Sequence, residues 1–65
     1  RMGSMKFKHE KFDHTYRVSM GTYGYYVREY KEDKVPGSVL NLTKQEFVNF
    51  KEKLKDGGWI ESAPR

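Results

Sequence analysis

The sequence predicts an α+β fold, in which a small antiparallel sheet of three to four strands is followed by one C-terminal α-helix. Residues 12–20 alternate strictly between apolar and polar side chains, which is typical of a half-buried strand. Residues 43–54 begin with a helix-capping sequence and continue with apolar residues at helical spacing. Because the strand signals precede the helix signal, the elements segregate along the chain as they do in α+β domains.

The strongest strand signals form a predicted hairpin. A first strand spans residues 12–20, and Gly21-Thr22 offers a tight turn in which glycine can take a positive φ. A second strand then runs from Tyr23 to about Lys31.

The segments around this hairpin are assigned from turn chemistry. Residues 32–37 combine charged side chains with Pro-Gly, which indicates a turn, and residues 38–42 form a short third strand. Residues 6–11 alternate weakly, so they fit either an edge strand or an ordered arm.

The helix has a recognisable beginning and end. Thr43-Lys44-Gln45-Glu46 fits the T-x-x-E capping box. Phe47, Phe50 and Leu54 follow at i, i+3 and i+7, which makes one apolar stripe. Gly57-Gly58 ends the helix and positions Trp59-Ile60 to fold back on its last turn.

The chain of 65 residues is long enough for a single domain. Residues 1–4 read like a vector-derived remnant, residues 5–60 form the predicted domain, and residues 61–65 form a flexible tail. A domain of this size buries only ~60% of its unfolded surface, and the mean hydropathy of −0.99 is low. Since the chain contains no cysteine, disulfides cannot compensate. We therefore expect a homodimer that covers surplus apolar surface on the helix side.

Charge and hydropathy limit the classes of partner. Thirteen Lys and Arg against nine Asp and Glu give a net charge of +4 and a pI of about 9.4. This excess suits a polyanionic partner, and it equally suits an ordinary soluble domain. No apolar run is long enough to span a membrane, and no signal-peptide core is visible. We expect an intracellular protein, in the cytoplasm or with the nucleoid or nucleus.

The second strand carries the main functional signal. Tyr26, Arg28 and Tyr30 lie on one face by alternation, whereas Tyr25 and Val27 lie on the other. An exposed Tyr-Arg-Tyr ladder offers rings for base stacking and a cation for the backbone of a single-stranded nucleic acid. The alternative is that these rings pack under the helix or against a second copy. The predicted binding residues are Arg17, Tyr23, Tyr26, Arg28, Tyr30 and Lys31, with Lys6 and Lys8 extending a basic track.

No pattern indicates catalysis, a cofactor or a metal. The segment His9 to His14 superficially resembles a zinc-protease helix, but that motif needs its second histidine at position 13, where Asp13 stands. In an extended segment His9 and His14 would also face opposite sides. No nucleophile has a partner base by local spacing, so we predict a non-enzymatic protein without a cofactor or a metal site.

Several short motifs occur in a familiar order. Val27-Arg28-Glu29-Tyr30, Val35-Pro36-Gly37 and Leu40-Asn41-Leu42-Thr43 are followed by the apolar helix from Phe47 to Leu54. This order resembles the positive-cofactor-four family of transcriptional coactivators over roughly residues 16–54. The resemblance implies a strongly curved four-stranded sheet with a helix across it, a homodimer, and binding of single-stranded or unwound DNA. The resemblance matches Arg28 to the family's DNA-contacting arginine and Tyr30 to the tyrosine of the same R-E-Y motif.

The chain departs from that family at several contact positions. Lys31 stands where the family often has a stacking tryptophan, and Ser19, Met20 and Thr22 replace the aromatic and lysines of its hairpin loop. Binding would then be weakened, lost, or moved onto Tyr23, Tyr26 and the amino-terminal lysines.

The function predicted from the sequence is a dimeric module that binds single-stranded DNA or RNA with little sequence preference and acts as a transcription cofactor or regulator. The alternative is a small protein-interaction module or inhibitor that uses an exposed edge strand or the aromatic face to dock on a larger intracellular machine, such as that of transcription or replication, as in strand addition. The small size of the chain would also suit a phage-encoded protein.

Overall fold

The computed structural model describes residues 4–62, which form an open five-stranded antiparallel sheet and one α-helix. The elements in chain order are β1 (Ser4–Lys8), β2 (His14–Met20), β3 (Tyr25–Lys31), β4 (Val35–Leu42), α1 (Lys44–Asp56) and β5 (Ile60–Ser62). The strand order across the sheet is β4-β3-β2-β1-β5. The predicted α+β class and antiparallel sheet are confirmed, with more strands than the three or four expected.

Strand β1 is an interior strand of the sheet. It pairs with β2 on one side and with β5 on the other, so the prediction of an edge strand or arm for residues 6–11 is wrong. The fifth strand arises because the chain returns after the helix and adds Ile60–Ser62 beside β1. Residues 61 and 62, predicted as part of a flexible tail, therefore belong to the sheet. Residues 1–3 and 63–65 lie outside the described part of the chain.

The β2–β3 hairpin has a longer loop than predicted, because β3 begins at Tyr25 and not at Tyr23. The loop comprises residues 21–24, and the Gly21 N–H donates to the Gly24 carbonyl at 2.7 Å. Gly21 does not take the positive φ that was expected. A Cβ at this position would meet the ring of Tyr26, which would have to move aside to accommodate it.

The β3–β4 turn is tighter than the predicted segment 32–37. Glu32 and Asp33 take positive φ values of 54° and 59°, and the Lys34 N–H donates to the Lys31 carbonyl, as in a type I′ turn. Residues 35–37, predicted as part of the turn, already belong to β4. Proline is compatible with this strand because β4 lies at a sheet edge.

The core lies between one face of the sheet and α1. Phe7, Val18 and Val27 from three neighbouring strands are fully buried, and Phe47 and Leu54 of the helix pack over them. Tyr25 stacks on Phe47 with ring centroids 4.3 Å apart, and Phe50 and Trp59 pack at the margin. The residues predicted to supply surplus apolar surface on the helix side are thus mostly used within the chain, Ile60 excepted.

Both predicted helix signals are confirmed. The Glu46 N–H donates to the Thr43 hydroxyl at 3.2 Å, and the Glu46 carboxylate accepts from the Thr43 N–H at 2.9 Å. Gly58 has a φ of 92°, and the Trp59 N–H reaches the Leu54 carbonyl, which completes a Schellman motif. Trp59 packs on the core as predicted, whereas Ile60 is exposed. Within residues 4–62 no helix has the length and apolar character to cross a membrane.

Candidate nucleic-acid interface

The helix α1 packs on one face of the sheet, and the opposite face carries no helix from residues 4–62. Alternation along β3 turns Val27 toward the core, so Tyr26, Arg28 and Tyr30 lie on the opposite, helix-free face. The side chain of Tyr26 is 44% exposed, and Arg28 and Tyr30 are half-buried. The three residues are therefore not sealed beneath α1.

The strand register arranges this face in rows that cross the sheet. Lys6 pairs with Arg17, and Arg17 pairs with Arg28, so three adjacent strands contribute one cation each to a single row. The neighbouring row on one side contains Tyr26, and the neighbouring row on the other side contains Tyr30. A cationic row thus lies between two tyrosines. We call Lys6, Arg17 and Arg28 the cationic row, and Tyr26 and Tyr30 are its flanking tyrosines.

The two arginines of the row are held apart by different partners. The Arg17 guanidinium lies 4.0 Å from the centroid of the Tyr30 ring, a cation–π contact. Arg28 donates to the Gly37 carbonyl at 3.1 Å, next to an irregularity in the β3–β4 register. Like charges directly opposite each other destabilise a sheet. An anion bound between the arginines would remove that cost.

An acidic side chain, that of Asp33, contacts this face. Its carboxylate accepts hydrogen bonds from Arg17 at 2.8 Å, Lys6 at 2.9 Å and the Thr15 hydroxyl at 3.1 Å. The local sequence around Asp33 and Thr15 gives no indication of this contact. The contacts of Asp33 with Lys6, Thr15 and Arg17 are not local in sequence, because they form only when the β3–β4 turn folds back over β2. The sequence signal for the turn itself was weak, since neither residue at positive φ is glycine.

The hydrogen bonds of Asp33 shift its own pKa and the pKa of Arg17. Hydrogen bonds from Arg17 and then Lys6 hold the pKa of the Asp33 carboxyl far below its ordinary value of 3.8. The hydrogen bond to Asp33 raises the pKa of Arg17 in turn. Asp33 therefore stays ionised at neutral pH and partly neutralises the cationic row.

Three other predicted site residues lie outside the row. Lys8 follows Lys6 on β1, where it is exposed and pairs with Ile60 of β5. Tyr23 is 92% exposed in the β2–β3 loop, so its ring does not stand on the sheet. Lys31 pairs with His14 and lies on the helix side by alternation, so including it in the same face was wrong.

A shallow depression lies beside Tyr26 at the loop end of the sheet. Its volume is about 410 Å³, and its walls come from the β2–β3 loop and the end of β4. The residues that line it are Tyr23, Gly24, Tyr25, Tyr26, Asn41, Leu42 and Thr43. Three tyrosines at the wall of an open depression suit a planar group better than an enclosed small molecule.

A second cluster of rings lies away from this face. His9 and His14 both contact the Trp59 ring, with centroids 5.2 Å and 5.9 Å apart, so the expectation that they face opposite sides is wrong. The reason is that residues 9–13 connect two strands and are not themselves extended. His9 Nε2 lies 2.9 Å from the Gly57 carbonyl, and its Nδ1 accepts from the Lys11 N–H. Over residues 4–62 no three His, Cys, Asp or Glu side chains are arranged to hold a metal ion.

Comparison with known proteins returned no significant match among family models, curated proteins or solved structures.

Proposed function

We propose that this chain is a non-enzymatic module that binds single-stranded nucleic acid on the helix-free face. The observation that carries this proposal is the cationic row, in which Lys6, Arg17 and Arg28 follow one another across three strands between Tyr26 and Tyr30. Phosphates would lie along the cations, and bases would stack on the tyrosine rings. Such contacts read little base identity, so sequence preference should be weak.

The resemblance to the positive-cofactor-four family agrees with this proposal at two positions. Arg28 and Tyr30, which match the arginine and tyrosine of the family's R-E-Y strand, lie on the helix-free face. Lys31, at the position of the stacking tryptophan, lies on the other face. We propose that stacking has moved to Tyr26 and to the exposed ring of Tyr23. The proposed role as a transcription cofactor rests on this resemblance.

The direct test is a fluorescence titration of an oligo-dT of about twenty nucleotides at about 50 mM and 200 mM salt. Arg28→Ala should weaken binding and reduce the log–log salt slope by about 0.7, the value for one phosphate contact to a single strand. Tyr26→Ala should weaken binding about fivefold to a hundredfold, because stacking contributes ~1–3 kcal/mol per base.

Lys53→Ala is the matched control, since this exposed lysine lies on α1, away from the helix-free face. It removes the same charge as Arg28→Ala and should leave the salt slope nearly unchanged. If the wild-type protein fails to bind at low salt, the proposed function is wrong. Equal losses for Arg28→Ala and Lys53→Ala would mean that the site lies elsewhere.

We further propose that the protein is a homodimer joined through β4. This edge strand has no charged residue, although 34% of the chain is charged, and Val35, Val39 and Leu40 are exposed. Long apolar edge strands promote association, and two copies of β4 could pair antiparallel without like-charge repulsion. The pairing would join two helix-free faces into one continuous surface.

Sedimentation equilibrium at tens of micromolar tests this interface. Val39→Lys should shift the protein to a monomer, whereas Val48→Lys on the exposed side of α1 should not. A wild-type monomer would refute the dimer. The same free edge favours a second candidate function, in which β4 accepts a strand from a partner protein. A partner captured stoichiometrically after nuclease treatment, and lost in Val39→Lys, would support that alternative.

A further inference from the structure

Three donors on the helix-free face converge on one point. Lys6 comes from β1, and Thr15 and Arg17 come from β2, yet all three reach the carboxylate of Asp33 within 2.8–3.1 Å. Thr15 is buried, with 4% of its surface exposed, so its hydroxyl forms a fixed floor. Lys6 and Arg17 form the sides, and their side chains remain partly accessible to solvent.

Two of the three donors are held in place without Asp33. The Arg17 guanidinium also packs on the Tyr30 ring, and Thr15 is fixed by pairing of β2 with β3. Asp33 itself arrives from outside the sheet, on a turn whose two central residues both have positive φ. That conformation is unfavourable for residues other than glycine, although Asp tolerates it better than most. Thr15 and Arg17 are therefore preorganised, whereas Asp33 sits on a short turn.

We propose that Lys6, Thr15 and Arg17 form an oxyanion cradle that Asp33 fills in the free protein and that a backbone phosphate of single-stranded nucleic acid takes over on binding. The identity of the ligand rests on the proposed function. Carboxylate and phosphate present similar oxygen acceptors, and arginine binds both in the same geometry. Because Lys6 and Arg17 of the cradle belong to the cationic row, a phosphate there continues the path past Arg28. Asp33 is then an internal competitor that lowers affinity.

The test is to remove the charge of Asp33 and keep its shape. Asp33→Asn should bind the same oligo-dT about threefold to thirtyfold more tightly, because binding no longer has to break two exposed ion pairs. Glu32→Gln is the matched control: it removes the same charge from the neighbouring position of the same turn, where φ is also positive. Its effect on affinity should stay within about twofold, as expected for a long-range change of one charge.

A second measurement uses inorganic phosphate as the probe and does not require nucleic-acid binding. In a heteronuclear NMR titration, phosphate should shift the Thr15 and Arg17 amide resonances of Asp33→Asn and leave those of Glu32→Gln nearly unchanged. In the wild-type protein, oligo-dT should shift the Asp33 carboxyl carbon as the carboxylate leaves the cradle. This last readout needs no variant, so it remains informative if Asp33→Asn folds poorly.

The outcomes separate the cradle from the proposed function. Phosphate shifts in Asp33→Asn without oligo-dT binding by any variant would support the cradle and refute nucleic-acid binding. Oligo-dT binding through Arg28, with no difference between Asp33→Asn and Glu32→Gln and no phosphate shifts, would overturn the cradle alone. An Asp33 carboxyl signal that does not move at saturating oligo-dT would also overturn displacement.

Discussion

Replacing Asp33 with asparagine should lower stability in a way that depends on pH. The amide keeps the size of the carboxyl group, and Asn accepts positive φ as readily as Asp, so the turn itself is little affected. What is lost is the charge that Lys6 and Arg17 contact at 2.9 Å and 2.8 Å. The change therefore isolates the ionic part of the contact.

The expected loss of stability in Asp33→Asn follows from the solvent exposure of the Asp33 side chain. The Asp33 side chain is 37% exposed, so both ion pairs are screened by solvent. Exposed pairs contribute ~0.2–1 kcal/mol each. An amide oxygen can still accept from the Thr15 hydroxyl, so that hydrogen bond is retained. Two pairs together give about 1 kcal/mol at neutral pH, which corresponds to a fall in Tm of about 4–8 °C for a domain of this size.

The sign of the pH dependence follows from the lowered pKa of Asp33. Its carboxyl group binds protons less readily in the folded protein than in the unfolded chain, where the pKa is near 3.8. The stabilisation is therefore complete above about pH 5 and is lost progressively as the pH falls through the folded pKa. Asparagine does not titrate. The gap in stability between the wild-type protein and Asp33→Asn should thus shrink by more than half between pH 5 and about pH 2.

Urea unfolding followed by circular dichroism at several pH values measures this gap. Glu32→Gln serves as the control, since this surface change should alter the free energy of unfolding by less than about 0.5 kcal/mol at any pH. If Asp33→Asn is as stable as the wild-type protein at pH 7, the ion pairs contribute nothing. A gap that is independent of pH would show that shape, and not charge, accounts for the loss.

Three further predictions concern the scaffold and use the same unfolding assay. Phe7→Ala removes a fully buried ring and should cost about 3–5 kcal/mol, so a variant with wild-type stability would contradict the core assignment. Gly24→Ala should destabilise the protein strongly, because its Cβ would meet the Leu42 carbonyl. Gly21→Ala should cost little, because its Cβ would meet only the movable ring of Tyr26. Equal losses of stability for the two variants would contradict this difference. Thr43→Ala should cost about 1 kcal/mol by removing the hydroxyl that caps α1, and no loss would mean that the capping box is not formed in solution.

The elements with a regular period could be predicted from the sequence. Alternation placed Tyr26, Arg28 and Tyr30 on one face of β3 and Val27 on the other, and the capping box located the start of α1 within a residue. These signals are local, because side-chain period and capping depend on residues only a few positions apart. The half of the candidate site that lies on β3 was therefore accessible from sequence.

The remainder depends on contacts between distant segments. β5 is three residues long and has no periodic pattern, so only its pairing with β1 defines it as a strand. The same holds for Asp33, whose partner Lys6 lies 27 positions away in sequence. Lys31 is a different case, because alternation along β3 alone already places it on the face opposite Tyr30.

Stability and affinity would oppose each other at Asp33. Only five hydrophobic residues are buried among those described, so a contact of about 1 kcal/mol is a large share of a marginal balance. In the free protein the carboxylate offsets the repulsion that Lys6, Arg17 and Arg28 create by lying in one row. A bound phosphate would provide the same compensation from outside. Under the proposed function, the protein therefore needs an anion in the cradle in both states, and Asp33 supplies it whenever the nucleic acid does not.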